Sequence, residues 1–305
     1  VSGQPISLVS LAGEYDGLIL DADGVIYRGP QPVAHAIEVL GPIVKAMPWC
    51  VLTNNAANAP IVVADKLSGL GLRASVDNVV TSPQGAVAYL KSTGVAEGAH
   101  VFVVGGAGIE DALRAEGFVP TRDRQDEVVA VVQGFGPAVG WHDLAEASYA
   151  IADGAMWVAT NLDRNIPTEF GFAPGNGALV GAVAEAVGRR PDAVTGKPEP
   201  LLFELAAERM SAARPLVIGD RIDTDIRGGN RAGMDTLLVL TGVTGREQLQ
   251  ELKEAPKDDR PTYLAHDLRA LQRPAAASLV AGSEVTADTD WLAELRCTLA
   301  RAWAD

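Results

Sequence analysis

Short runs of Val, Ile and Leu recur along the chain, separated by stretches in which apolar residues return every three or four positions. The runs Gly17–Leu20, Trp49–Leu52, Val101–Val104, Val128–Val132, Met156–Ala159, Leu216–Ile218 and Thr236–Leu240 predict strands, because each is nearly continuous in apolar character. Between them, Ile37, Leu40, Ile43 and Val44 predict one helix face. Val62, Leu67 and Leu70, followed by Gly71 as a C-cap, predict another. Apolar strands that alternate with helices predict an α/β fold on a parallel sheet covered on both faces. Ligands in such folds bind beyond the C-terminal ends of the strands, so the residues that follow each strand carry the chemistry.

The segment Gly17-Leu-Ile-Leu-Asp21-Ala-Asp23-Gly24 ends a predicted strand in one carboxylate and places a second two residues on. Carboxylates so close do not both ionise freely without a cation, and the pair suits a nucleophile plus a general acid/base around a hard metal ion. A solvated Asp-Gly turn is the alternative. An EF-hand loop does not fit, because Gly24 comes too early and Pro32 stands where Glu is required. A second acidic cluster, Gly219-Asp220-Arg-Ile-Asp223-Thr-Asp225-Ile226, also follows a strand. Asp223 and Asp225 fall in the opening turn of the next helix, where the helix dipole alone would favour them, but that does not account for Asp220. Thr53-Asn54-Asn55 offers a hydroxyl, amides and backbone N–H groups for phosphoryl oxygens, with a plain turn or helix cap as the alternative. Thr195-Gly-Lys197-Pro offers one cation in a tight loop. Pro after Gly-Lys excludes a Walker loop.

Composition narrows the class. With 305 residues and 48% hydrophobic content the chain builds real cores, and with only 5% aromatics those cores are aliphatic. Acids outnumber bases by 39 to 25, and a net charge of -14 disfavours nucleic acid and anionic membranes as partners. A single anionic metabolite stays compatible, because a metal ion reverses the local field. Cys50 and Cys297 make neither a disulfide framework nor a zinc site and predict a reducing compartment. The first twenty residues lack Lys and Arg and no run approaches a bilayer-spanning length, so a cytoplasmic protein without membrane insertion is expected.

The four strand-end pieces, in order Asp21-Ala-Asp23-Gly, Thr53-Asn54-Asn55, Lys197 and Gly219-Asp220-Arg-Ile-Asp223-Thr-Asp225-Ile, resemble the haloacid dehalogenase superfamily of phosphohydrolases. Leu-Thr-Asn-Asn, Ala159-Thr-Asn161-Leu-Asp163 and Pro174-Gly-Asn-Gly-Ala178 resemble its NagD-like subfamily, over roughly Tyr15 to Leu271. Ala22 departs from the Leu or Met usual there. The resemblance implies a Rossmann-like parallel-sheet core, residues 1–82 and 190–272, with an inserted α/β cap domain, residues 83–189. It implies Asp21 as nucleophile and Asp23 as general acid/base, with phosphate held by Thr53, Asn54, Asn55 and Lys197. It implies Mg²⁺ held by Asp21, the Asp23 carbonyl and Asp220, with Asp225 or Asp223 acting through water. Substrate selection is expected from the loop Asn161–Gly177, above all Asn161, Asp163 and Arg164. The implied substrate is a small phosphorylated metabolite: glycerol 3-phosphate first, then 2-phosphoglycolate, a nucleotide monophosphate or pyridoxal phosphate. A phosphotransferase and a catalytically silent binding or regulatory module are the competing readings, and a homodimer through the cap is the expected assembly.

Weaker signals follow. Val104-Gly-Gly-Ala-Gly108 resembles the start of a dinucleotide fingerprint but lacks its remaining parts, so a βα turn is expected. His35, His100, His142 and His266 have no metal-binding spacing. Pro274–Gly282 reads as a linker, and Trp291, Leu295, Leu299 and Trp303 within Asp288–Asp305 predict an amphipathic helix that packs on the core or on a second subunit; residues 273–305 have no assigned role.

Overall fold

A computed structural model describes residues 10–124, 127–168, 170–280 and 291–304. A six-stranded sheet runs in the order Tyr263–Ala265, Asp235–Val239, Pro215–Gly219, Gly17–Leu20, Trp49–Thr53, Val79–Thr81. Gly17–Leu20 lies in parallel register with Pro215–Gly219 on one side and Trp49–Thr53 on the other. The chain order reverses at this central strand, which makes its C-terminal end the switch point where α/β folds bind ligands. Every residue of Gly17–Leu20 and Pro215–Gly219 is buried, as their unbroken apolar character requires.

All of the predicted strands are present to within about one residue at each end, Thr236–Leu240 being displaced to Asp235–Val239. Sequence reasoning passed over Val79–Thr81 and Tyr263–Ala265, because three residues are too few to show a periodicity. Two helix faces differ from the expected ones. Ala36–Ile43 buries Ala36, Val39, Leu40 and Ile43, leaving Ile37 at the edge. Pro60–Gly69 buries Val63, Ala64 and Leu67, and Val62 is turned outward. In both, an apolar neighbour one position away competes for the core, and only packing decides between them.

The chain divides into two compact units: Val1–Leu52 with Ala64–Val79 and Phe203–Asp305, and Thr53–Val63 with Val80–Leu202. The second unit is itself α/β. Its five-stranded parallel sheet runs Ala193–Val194, Met156–Ala159, Val128–Gln133, His100–Val104, Val119–Thr121. The two-residue side-chain period divides its core: Val101, Val103, Ala130, Val132 and Val158 pack on one face, and Phe102, Val104, Val131, Trp157 and Ala159 on the other. Part of the loop Asn161–Gly177 is a hairpin, Asn165–Thr168 paired antiparallel with Gly171–Pro174. Gly106 and Gly108 in the fingerprint-like turn approach backbone of their own unit, since a Cβ would stand 2.5 Å from Ala57 Cα and from Asn58 O respectively. That close approach is why glycine stands there.

In the first unit the C-terminal helix Trp291–Ala302 lies on the core. Leu292 and Leu299 join Ile226, Leu238, Leu249, Leu252, Leu264 and Val280, with Leu295 and Trp303 packed against them. Trp303 donates its indole N–H to Leu252 O at 2.9 Å. The stretch before it is fastened to the sheet edge up to Val280, where Leu264 N donates to Ser278 O and Val280 N to Thr262 O. The remainder of the expected linker, 281–282, and the first expected helical positions, 288–290, lie outside the described residues. Among the described residues no helix is long and apolar enough to cross a membrane.

Candidate active site

Three carboxylates of the first unit converge at the C-terminal ends of two neighbouring strands. Asp21 follows Gly17–Leu20, Asp220 follows Pro215–Gly219, and Asp225 lies in the π-type turn Ile222–Ile226. Each offers an oxygen within 4.8 Å of the other two, and Asp220 and Asp225 are almost completely buried. Buried carboxylates at this spacing need a cation between them, and an all-oxygen donor set suits a hard divalent ion. The residues present therefore fit Mg²⁺.

The turn that carries Asp225 sends its side chain and that of Asp223 in different directions. Asp225 accepts from Arg221 N at 3.1 Å, and its Cβ lies 2.1 Å from where a Cβ on Gly219 would be, so only glycine fits at the strand end. Asp223 points elsewhere, its carboxylate gripped by Nε and Nη2 of Arg221 at 3.0 and 2.7 Å. Asp23 is exposed, two residues beyond Asp21. Lys66 stands over the Tyr27 ring at 3.3 Å; partial burial lowers its pKa, against the opposing pull of the Asp23 carboxylate.

A loop after the Asp235–Val239 strand closes on Asp220. Val243 N donates to Asp220 Oδ2, Thr244 N donates to Asp220 O, and Thr241 Oγ1 donates to Gly24 O at 2.6 Å. Arg28 donates to Gly242 O at 2.7 Å. A Cβ on Gly242 would fall 1.8 Å from Asp220 Oδ2, and one on Gly24, where φ is +89°, would fall 2.6 Å from the same oxygen.

The other group of expected residues gathers in the second unit. Thr53 ends the Trp49–Thr53 strand, and its Oγ1 accepts from Asn55 N. Asn55 Oδ1 accepts from Ala57 N at 2.8 Å, so this exposed side chain closes a local turn. Asn54 Oδ1 accepts from Lys197 N at 2.8 Å, while its Nδ2 donates to Lys197 O at 3.0 Å and to Asp163 Oδ2 at 3.1 Å. Both amide hydrogens are thereby used inside the protein. Asn161 Nδ2 donates to Asn54 O, and Asn176 Nδ2 to Asn161 O. Lys197 is buried in the Thr195–Lys197 loop, where Gly196 is required because a Cβ would meet Thr160 O at 2.2 Å. Arg164 is exposed, and its carbonyl accepts from Gly175 N.

A family model of haloacid dehalogenase-like hydrolases matches residues 18–119, and one of HAD-hydrolase-like proteins matches residues 194–271. The chain is 42% identical over 272 residues to a D-glycerol 3-phosphate phosphatase of Mycobacterium tuberculosis, covering 89% of this chain and 75% of that protein.

The chain belongs to the haloacid dehalogenase-like hydrolases.

An acid sugar phosphatase of Staphylococcus saprophyticus is 36% identical, covering 83% of this chain and 95% of that protein. Among solved structures, a glycerol phosphate phosphatase from Mycobacterium tuberculosis in complex with magnesium superposes with a TM-score of 0.89 at 39% identity, covering 97% of this chain and 92% of that one. In this member of the haloacid dehalogenase-like hydrolases, sequence reasoning missed the Thr241–Thr244 loop and Asn176. The Thr241-Gly-Val-Thr string after a strand was the signal for the loop; Asn176 lies inside the Pro174-Gly-Asn-Gly-Ala178 string, which gave it no role until its bond to Asn161 was seen.

Proposed function

We propose that this phosphatase hydrolyses glycerol 3-phosphate, through an aspartyl-phosphate on Asp21. The observation that carries the reading is the convergence of Asp21, Asp220 and Asp225, two of them buried, at a strand-end switch point. The glycerol phosphate named for the Mycobacterium tuberculosis proteins supports the choice of substrate.

A carboxylate oxygen of Asp21 attacks phosphorus in line, and the bond to the glycerol oxygen breaks. Asp23 gives its proton to that leaving oxygen. It then takes a proton from the water whose oxygen attacks phosphorus and releases Asp21. The Thr53 hydroxyl, the Asn54 backbone N–H and the Lys197 ammonium hold the phosphoryl oxygens, with Asn55 keeping the turn closed behind Thr53. Asp21, the Asp23 carbonyl, Asp220 and Asp225 would hold Mg²⁺, which when bound neutralises their charge and that of the phosphoryl oxygens. Asn161, Asp163 and Arg164, within a cap domain of residues 83–189, would read the leaving group. The core is residues 1–82 and 190–272.

The deciding experiment is a panel of phosphate esters with Mg²⁺, ranked by kcat/KM. Glycerol 3-phosphate is expected first, with 2-phosphoglycolate, nucleotide monophosphates and pyridoxal phosphate behind, and Asp21→Asn is expected to abolish turnover. Full activity in Asp21→Asn would sink the mechanism; a different leading ester would replace the substrate. Two finer readings accompany it. Free, buried Cys50 and Cys297 support a reducing, cytoplasmic setting. Phe170 and Phe172, 93% and 79% exposed on the cap hairpin, support a homodimer through the cap, which light scattering checks.

A further inference from the structure

Both ends of the Asn54 side-chain amide are engaged inside the protein. Its Oδ1 and one Nδ2 hydrogen bind the backbone N–H and C=O of the same residue, Lys197, at 2.8 and 3.0 Å. That two-point grip fixes the peptide orientation from which the Lys197 side chain departs. The other Nδ2 hydrogen reaches Asp163 Oδ2 at 3.1 Å, on the loop expected to meet the leaving group. Asp163 is itself held, its N–H donating to Asn161 Oδ1 at 3.1 Å and its carbonyl accepting from Gly177 N at 2.9 Å. Asn161 in turn binds back to Asn54 O at 2.9 Å, which closes a ring of hydrogen bonds through Asn54, Asp163 and Asn161.

We infer that Asn54 is a positioning residue that couples the specificity loop to Lys197, so that Asp163 governs phosphate affinity through the Asn54 amide as well as leaving-group choice. A planar amide with one acceptor and two donors, all engaged, transmits a displacement at one partner to the other two. The inference rests on the reading of Lys197 as a phosphate ligand.

Inorganic phosphate separates the two roles, because it has no leaving group. Its affinity for the full chain with Mg²⁺ is measured by titration calorimetry. Asp163→Ala removes the acceptor and is expected to weaken phosphate about fivefold. Asp163→Asn, whose carbonyl still accepts from Asn54 Nδ2, is expected to restore affinity to within about twofold. In an Asn54→Ala background, checked for folding by thermal melting, Asp163→Ala is expected to change nothing further. Unchanged phosphate affinity in Asp163→Ala would overturn the inference. So would a tightening in both Asp163 variants, which is what simple removal of a repelling charge gives. Lys197→Ala is the control: if it leaves phosphate affinity intact, the reading of Lys197 falls and the inference with it. If only Lys197→Ala weakens binding, the coupling alone is wrong.

Discussion

Val243 donates its backbone N–H to Oδ2 of Asp220 at 2.5 Å, although the two residues are 23 apart in sequence. A charge-assisted bond from backbone fixes one carboxylate oxygen and orients the other. Gly242, next to Val243, leaves no room for a side chain, because its Cβ would fall 1.8 Å from the same oxygen. Gly242→Ala is therefore expected to displace Asp220 and weaken Mg²⁺ binding by about tenfold or more, read by calorimetric titration of the metal. Unchanged metal affinity would mean that the loop does not orient Asp220.

Asp223 and Asp225 make a matched pair for testing the metal site. Asp225 is buried within the carboxylate cluster, whereas Asp223 is held by Arg221. Asp225→Asn is expected to lower Mg²⁺ affinity by about tenfold to a hundredfold, and Asp223→Asn by less than about twofold. The reverse order would move the cation toward Asp223.

The C-terminal helix is expected to contribute to stability of the first unit. Leu299 is fully buried among Leu252, Leu264, Val280 and their neighbours. Leu299→Ala is expected to cost about 2–5 kcal/mol, measured by urea denaturation. A loss below ~0.5 kcal/mol, the range of an ordinary surface change, would show that the helix is dispensable for folding.

Cys50 is expected to be inert. Burial, reinforced by Asp77 and opposed by Arg209, pushes its thiol up to about 11, and its Sγ lies 3.5 Å from Asp77 O. Because the raised pKa favours the protonated form, the reactive thiolate is scarce at neutral pH and gains population only as pH climbs toward 11. Alkylation by iodoacetamide at pH 8, followed by mass spectrometry, is expected to be slow in the native protein and fast in urea. Rapid native labelling of Cys50 would contradict the burial.

Much of the fold was legible in local pattern. Gly17–Leu20 and Met156–Ala159 are long and apolar enough to declare themselves, and the carboxylates after Gly17–Leu20 and Pro215–Gly219 stood out because nothing structural requires an acid there. The choice between Asp223 and Asp225 was not legible. Both occupy the same helical turn, and the dipole favours both; their difference lies in the direction each side chain takes and in Arg221. Asn54 was equally opaque, since an Asn after a strand suits a phosphate site, a cap or a brace.

The sequence by itself determined the parallel α/β architecture, the position of each strand-end acid and lysine, and the family to which they belong. These follow from side-chain chemistry and short-range periodicity. Tertiary structure alone decided which acids meet, which asparagine braces Lys197, and that Val63, not Val62, faces the core. Those outcomes depend on contacts between segments separated in the chain, such as Asn54 with Lys197 and Asp220 with Val243, and no local pattern encodes the direction of a side chain toward a partner 143 or even 23 residues away.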